Sequence, residues 1–504
     1  MRRGHAVSAP RTGPPGTAVV VGGGFGGIAA ALRLRALGHA VTLVERQARL
    51  GGRAQVYTVG GVRMDAGPTV ITAPHLLDEL FELFGERRAD WVRFLDVAPW
   101  YRLRFHDGSH LDYGPLDTIE AEVARLSPGD VAGYRRFAAH ARELFEVGFE
   151  RLGDRPFHSP LTMARTVPDL IRLGAHRTLH GLAAKHMRDP RLRTAFSLQS
   201  LLIGGDPRRT TCIYALIHEL ERRWGVVFPE GGTGALVDAL TRLLHRAGVR
   251  VLTGETVARI TTHNGRATGV TMSDGTHLPA ERVVANADPA HVYATMLDRP
   301  PRRRWTPRRL RRLRYSMGLY VLYITTDVPY PAVAHHTIAV GPDERRELHT
   351  VFERGELADS PSVYLHRPAA TDPNMAPPGG DAFYVLTPAP NLRGTADWDR
   401  DAATVRRRVL DRLEATELPG VRAHITDWCE VAPPHFAEAY LDRHGSAFRI
   451  QPRLTQAAWF RFHNRSEEVD GLYLVGAGTH PGAGVPGVLS SAKTLERVLA
   501  AEAA

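Results

Sequence analysis

The chain has 504 residues, 43% of them apolar, and a formal charge of +10. That length exceeds one simple core and the composition is that of a folded protein, so two or three domains are expected. No run reaches about eighteen apolar residues, which excludes a membrane-spanning helix. The excess cation is arginine, with only Lys185 and Lys493 as lysines, and no nucleic-acid-binding motif accompanies it. The pattern speaks against a nucleic-acid partner and leaves two readings, the codon bias of a GC-rich genome or attraction to an anionic membrane face.

Met1 to Gly16 is basic and rich in Pro and Gly, lacks the apolar segment of a secretory signal, and reads as a disordered arm. Thr17 to Arg53 follows as strand, glycine turn, helix and second strand. Gly22, Gly24 and Gly27 give the G-x-G-x-x-G spacing: a tight turn, close backbone approach to a pyrophosphate, and close packing of helix on strand. The helix is expected over Phe25 to Leu37, with its dipole toward a diphosphate and Gly38 as its stop. The next strand, Ala40 to Val44, ends in Glu45, whose carboxylate suits ribose hydroxyls and repels a 2′-phosphate.

A hairpin over Ala54 to Met64 leads to Asp65-Ala66-Gly67-Pro68-Thr69, and Pro74 to Phe84 is an amphipathic helix. Strands are expected near Tyr101 to Phe105 and His110 to Tyr113. Leu116 to Trp224 reads as mostly helical, with a serine-capped start at Ser127-Pro128-Gly129-Asp130. The apolar patch Phe196 to Ile203 lies among Arg172, Arg177, Lys185, Arg188, Arg191 and Arg193, the pattern either of a membrane-facing surface or of an ordinary helical domain with a solvated basic face. Phe228 to Gly234 opens a helix to Arg246, followed by strands at Val249 to Leu252 and Arg282 to Ala285. Pro301 to Arg314 is dense in arginine with Trp305, Leu310 and Leu313 interleaved: a solvated face, or a second membrane contact. A second sheet is expected from Leu319 to Thr325, Val363 to Leu365 and Phe383 to Thr387, then a helix over Asp397 to Leu413. Finally Gly471 to Val475 is a strand, Gly476 to Gly487 a glycine-rich loop, and Val488 to Ala501 a helix. Cys212 and Cys429 make no disulfide framework and fit a reducing cytoplasm. His335-His336 are adjacent, suit metal ligation poorly, and read as strand or loop residues; no metal is expected.

The stretches GGGFGGIAAALRL, LGGRA, DAGPTVIT, SLLIGGDP, YLHRPAATDPNMAP, HGSAFRIQPRLTQAAWFRFHNR and LYLVGAGTHPGAGVPGVLSSAK closely resemble the bacterial phytoene desaturase family of flavin-dependent, isomerising carotene desaturases. The likeness covers nearly the whole chain after the arm. It implies an α/β fold: a discontinuous Rossmann-like FAD-binding domain of the glutathione-reductase and amine-oxidase type (17–70, 226–290, 465–504), a mixed-sheet substrate domain (71–115, 291–464) and a helical membrane-contacting domain (116–225). Family cofactor positions fall on Gly22, Gly24, Gly27, Glu45, Arg46, Gly52, Arg53, Pro68, Thr69, Val257, Gly478, Val485 and Pro486. The implied reaction removes a hydride, to flavin N5, and a proton from adjacent carbons of a polyene drawn from the membrane. Oxygen or a membrane quinone is the implied electron acceptor, and the implied location is the inner face of the cell membrane. Asp65 and His480, in the motifs nearest the flavin, are the candidates for catalytic positioning.

Two departures stand out. Where broader relatives place an acid in the C-terminal glycine motif, this chain has Gly476-Ala477-Gly478-Thr479. Where some desaturases have an acid before the residue matching Met163, it has Thr162. Two rival functions share the fold: a flavin oxidase of an amine or porphyrinogen, and a non-catalytic prenyl-lipid escort, against which the intact flavin motifs argue.

Overall fold

The computed structural model describes residues 16–298 and 303–503. All but Gly16 of the expected arm lies outside the described residues. A five-stranded sheet carries the order Leu472–Leu474, Arg282–Ala285, Thr17–Val21, Ala40–Glu45, Arg250–Thr253, with every neighbouring pair parallel. A parallel sheet needs cover on both faces, which is why its strands are nearly all apolar. Ala18, Val20 and Leu43 face the helices Phe25–Ala36, Gly232–Arg246 and Val485–Ala503. Val19, Val21 and Val44 face a three-stranded antiparallel sheet of Val257–His263, Arg266–Met272 and His277–Pro279. The first helix ends at Ala36, and Gly38, at φ +91°, supplies the left-handed turn after it.

A seven-stranded sheet runs Ile425–Val431, Gly318–Thr326, Asp381–Ala389, Val363–His366, His336–Ala339, Tyr101–Arg104, His110–Tyr113. Its pairs are antiparallel except His336–Ala339 with Tyr101–Arg104. Gly318–Thr326 is buried along its whole length because both faces are covered. Tyr320, Leu322 and Ile324 meet the helix Trp398–Ala415, while Leu319, Val321 and Tyr323 face the opposite side, where Leu319 and Tyr323 line the molecule's interior cavity. Helices between 116 and 224, chiefly Val131–Phe145, Pro160–Arg172 and Leu216–Trp224, roof that cavity.

Four expectations change. Ser127 makes no cap: its hydroxyl donates to Asp130 (3.0 Å), whose carboxylate accepts the Arg188 and Asp189 N–H groups (both 2.8 Å). The acid wins because it accepts from two backbone donors of another segment at once. Phe196 to Ile203 is no surface patch: Phe196, Leu198 and Ile203 are buried, and Leu198 to Ile203 is a 3₁₀ turn on the cavity wall. Within the arginine-rich run, Trp305 stacks on Phe462 (3.9 Å) and Leu310 and Leu313 are buried, so its apolar members anchor the segment inward. The last helix starts at Val485, three residues early, because proline in a first turn sacrifices no helical hydrogen bond.

Candidate functional site

One cavity of about 550 Å³ joins the parallel sheet, the mixed sheet and the helical roof. Its nucleotide end is built by the first glycine turn. Gly22 sits at φ +97°, and a methyl on Gly27 would overlap the Gly22 carbonyl oxygen, so both glycines are sterically required. Gly24 lines the cavity, and a Cβ on Gly52 would stand 3.1 Å from its Cα, so the two backbones pack face to face. Glu45 is 5% exposed; its Oε2 accepts the Gly23 N–H (2.6 Å) and its Oε1 the Gln47 N–H (2.8 Å). Burial pushes its carboxyl up against these hydrogen bonds, and each oxygen keeps a lone pair for a hydroxyl donor.

Arg46 donates to the Glu438 carbonyl and Arg53 pairs with buried Asp442. Both guanidiniums line the same cavity, as do Pro68, Thr69, Val257, Val485 and Pro486. Gly478 does not line it; a Cβ there would strike the Pro289 ring, so this glycine serves packing behind the loop. Arg449, unmarked by the sequence reading, also lines the cavity. It donates to Asp442 (3.2 Å) and the Asn286 carbonyl (3.1 Å), yet its buried Nη1 has no acceptor. A buried guanidinium N–H without an acceptor is costly, and a ligand oxygen would satisfy it. Glycine turn, ribose-type carboxylate and spare guanidinium donor together fit an adenine dinucleotide.

Asp65 lies away from the cavity. Its carboxylate accepts the Thr233 (2.7 Å) and Gly234 (2.9 Å) N–H groups at the start of Gly232–Arg246, and burial pushes it up to about 6. It holds a helix N-terminus, one step removed from Pro68, whose carbonyl accepts the Thr233 hydroxyl (2.8 Å). His480 does line the cavity, between Phe157 (ring centroids 4.8 Å) and the Leu152 carbonyl (3.3 Å). Burial lowers it to about 3, so it is a neutral imidazole.

His335, His336 and His366 come together with one ring nitrogen each within 4.8 Å, a cluster the sequence did not show because His366 arrives by strand pairing opposite His336. Burial, with the Arg367 charge beside it, holds His335 down to about 3, so it is a neutral imidazole. His336 instead joins Tyr364 (2.8 Å), which bonds Thr69 (2.6 Å).

Beyond the nucleotide end the lining turns apolar: Leu144, Phe157, Met163, Leu170 and Leu202 from the roof, Leu319, Tyr323, Tyr384 and Leu386 from the sheet. Three carboxylic acids line the cavity: Glu45 and Glu255 at the nucleotide end, and Glu221 in this apolar part. Tyr101 (2.7 Å) and Gln199 (2.6 Å) donate to it, and burial lifts it to about 7. Its folded pKa lies above the unfolded value. It therefore weakens the fold as pH rises from about 4.5 to 7, by about 3 kcal/mol when fully ionised. Glu221→Gln is expected to narrow that loss: thermal midpoints of wild type and variant should diverge, in the variant's favour, between pH 5 and 8. Parallel midpoints across that window would show the carboxyl to be ionised throughout.

The model of flavin containing amine oxidoreductases matches residues 25–495. Solved structures share the fold at low identity. An oxidoreductase from Methanosarcina mazei superposes with a TM-score of 0.65 at 17% identity, over 95% of this chain and 100% of that one. A putrescine oxidase does so at 0.65 and 13%, over 97% and 99%. At sequence level the chain is 44% identical to a lycopene-forming phytoene desaturase from Paracoccus sp., over 97% of this chain and 98% of that one. It is 43% identical to a neurosporene-forming phytoene desaturase from Rhodobacter capsulatus, over 96% and 94%. The chain belongs to the bacterial phytoene desaturase family within the flavin-dependent amine oxidoreductases. Its cofactor is accordingly FAD.

Proposed function

We propose that the chain is an FAD-dependent desaturase that introduces double bonds into phytoene, toward neurosporene or lycopene, in carotenoid biosynthesis. The observation that carries this reading is the continuity of the dinucleotide site with a long apolar cavity. A hydrocarbon offers no group to hydrogen-bond, so shape and apolar contact must hold it. The side chains of Leu319, Tyr323, Tyr384 and Leu386 on one wall and Leu144, Met163 and Leu170 on the other supply that contact and exclude water. FAD, held by the glycine turn, Glu45, Arg53 and Arg449, supplies hydride acceptance. Glu221 is the group placed to hold a proton, at a carboxyl oxygen between Tyr101 and Gln199.

Peripheral attachment to the inner face of the cell membrane belongs to the same proposal. Among the described residues no helix is long and apolar enough to span a bilayer. On Pro160–Arg172, however, Leu161 is 66%, Val167 38% and Ile171 70% exposed, while Met163 and Leu170 of the same helix line the cavity. Arg165 and Arg172 border the outward stripe. One helix thus separates the cavity from an apolar outer face, an arrangement suited to passing a hydrocarbon from lipid. Oxygen or a membrane quinone would accept the electrons.

The test is expression in cells that accumulate phytoene, followed by chromatography of the pigments. Phytoene should fall and coloured carotenes rise; unchanged phytoene beside soluble, flavin-loaded protein would count against the substrate. In the same preparation, Leu161→Asp with Ile171→Asp should cut binding to anionic vesicles at least about tenfold, since each buried aliphatic side chain contributes about 1.5–3 kcal/mol. Undiminished binding would move the membrane contact elsewhere.

A further inference from the structure

Three arginines are buried among the described residues, and two have anionic partners. Arg33 meets Glu79 (2.8 Å) and Glu496 (2.7 Å), and Arg449 meets Asp442 (3.2 Å). Arg461 meets none. It is 1% exposed, its ionisable neighbours are Tyr214, Arg449 and the neutral His480, and its guanidinium is held by three backbone carbonyls: Thr479 (3.0 Å), Ala477 (2.6 Å) and Gln456 (3.2 Å). Burying a full charge without a counter-ion is among the costlier things a fold can do.

The position of that charge gives it a use. Ala477 and the segment His480 to Gly487 form one wall of the cavity, and the Arg461 Cζ lies 3.8 Å from where a Cβ on Gly482 would stand. The same loop runs into the N-terminus of Val485–Ala503, whose dipole adds positive potential. A hydrocarbon substrate brings no charge to offset it. Desaturating a CH2–CH2 unit breaks two C–H bonds and forms one C=C bond. Two electrons and one proton would leave as hydride to bound flavin, and the second proton would pass to a weak base or water. Bound flavin would thereby gain net negative charge, and the Arg461 cation behind the loop would stabilise that form over the oxidised one.

We propose that Arg461 is a positioning residue whose charge, without an anionic partner and held behind the glycine loop, raises the reduction potential of the flavin enough for it to oxidise a hydrocarbon. The proposal rests on the FAD reading above. It is tested by spectroelectrochemical titration of the flavin-loaded full chain as wild type, Arg461→Lys, Arg461→Met and Tyr214→Glu. Arg461→Met should shift the midpoint to more negative potential, and Arg461→Lys should keep most of the wild-type value. Tyr214→Glu, which sets a carboxylate beside the guanidinium and leaves its carbonyl partners in place, should also shift it negative. Flavin-loaded Arg461→Met at the wild-type potential would overturn the proposal. If that variant fails to hold flavin, an unchanged potential in Tyr214→Glu overturns it instead. Wild-type protein unable to take up FAD would refute the underlying cofactor reading, a different and separately visible result.

Discussion

Gly27→Ala is expected to yield little folded protein and no bound flavin. The added methyl would overlap the carbonyl oxygen of Gly22, a backbone atom of the turn itself. Overpacking costs about 1–3 kcal/mol where neighbours can shift, and more where the neighbour is backbone. Gly24→Val should behave differently. Gly24 has φ −73°, open to any residue, and its nearest neighbour for a Cβ is the Asn286 side-chain amide at 3.2 Å. Valine there should fold but push its methyls into the space for the diphosphate. Flavin absorbance per protein, read beside circular dichroism, separates the two cases. Folded Gly24→Val that retains flavin would refute the assignment of this turn to the cofactor.

Asp442→Ala is the second large effect. The Asp442 carboxylate is fully buried between Arg53 and Arg449, both on the cavity wall. Removing one partner of a buried ionic cluster costs about 3–5 kcal/mol because the remaining charges stay desolvated. Thermal stability should fall by that order, and FAD affinity with it, since both guanidiniums lose their orientation. Added FAD should restore part of the stability by mass action. A variant that melts with the wild type would show that the two arginines reach water when the acid is gone.

Much of the site was legible in sequence because its constraints are local. Gly22, Gly24, Gly27 and Glu45 all belong to one strand–turn–helix–strand unit, where spacing alone sets the geometry. The last loop was legible for the same reason, although Val485 and Pro486 proved to be the helix's first turn. Asp442, Arg449 and Arg461 were not legible. Each is an ordinary polar residue in an irregular stretch, and nothing in its neighbours says whether it faces water. The Phe196 to Ile203 segment failed in the opposite sense: an apolar run flanked by arginines looks the same whether it covers a membrane face or lines a cavity.

Local backbone chemistry, then, let the sequence determine the parallel nucleotide-binding unit, a second sheet, the helical block and the carboxylate at the tip of the second strand. Burial was decided only by the tertiary structure. It made Asp65 a helix anchor, turned Leu161, Val167 and Ile171 outward, and brought His366 to His335 and His336. It also left Arg461 as a charge with no anionic partner among the described residues, behind the glycine loop. Charge and exposure are properties of neighbours in space, and those neighbours come from segments far apart in the chain.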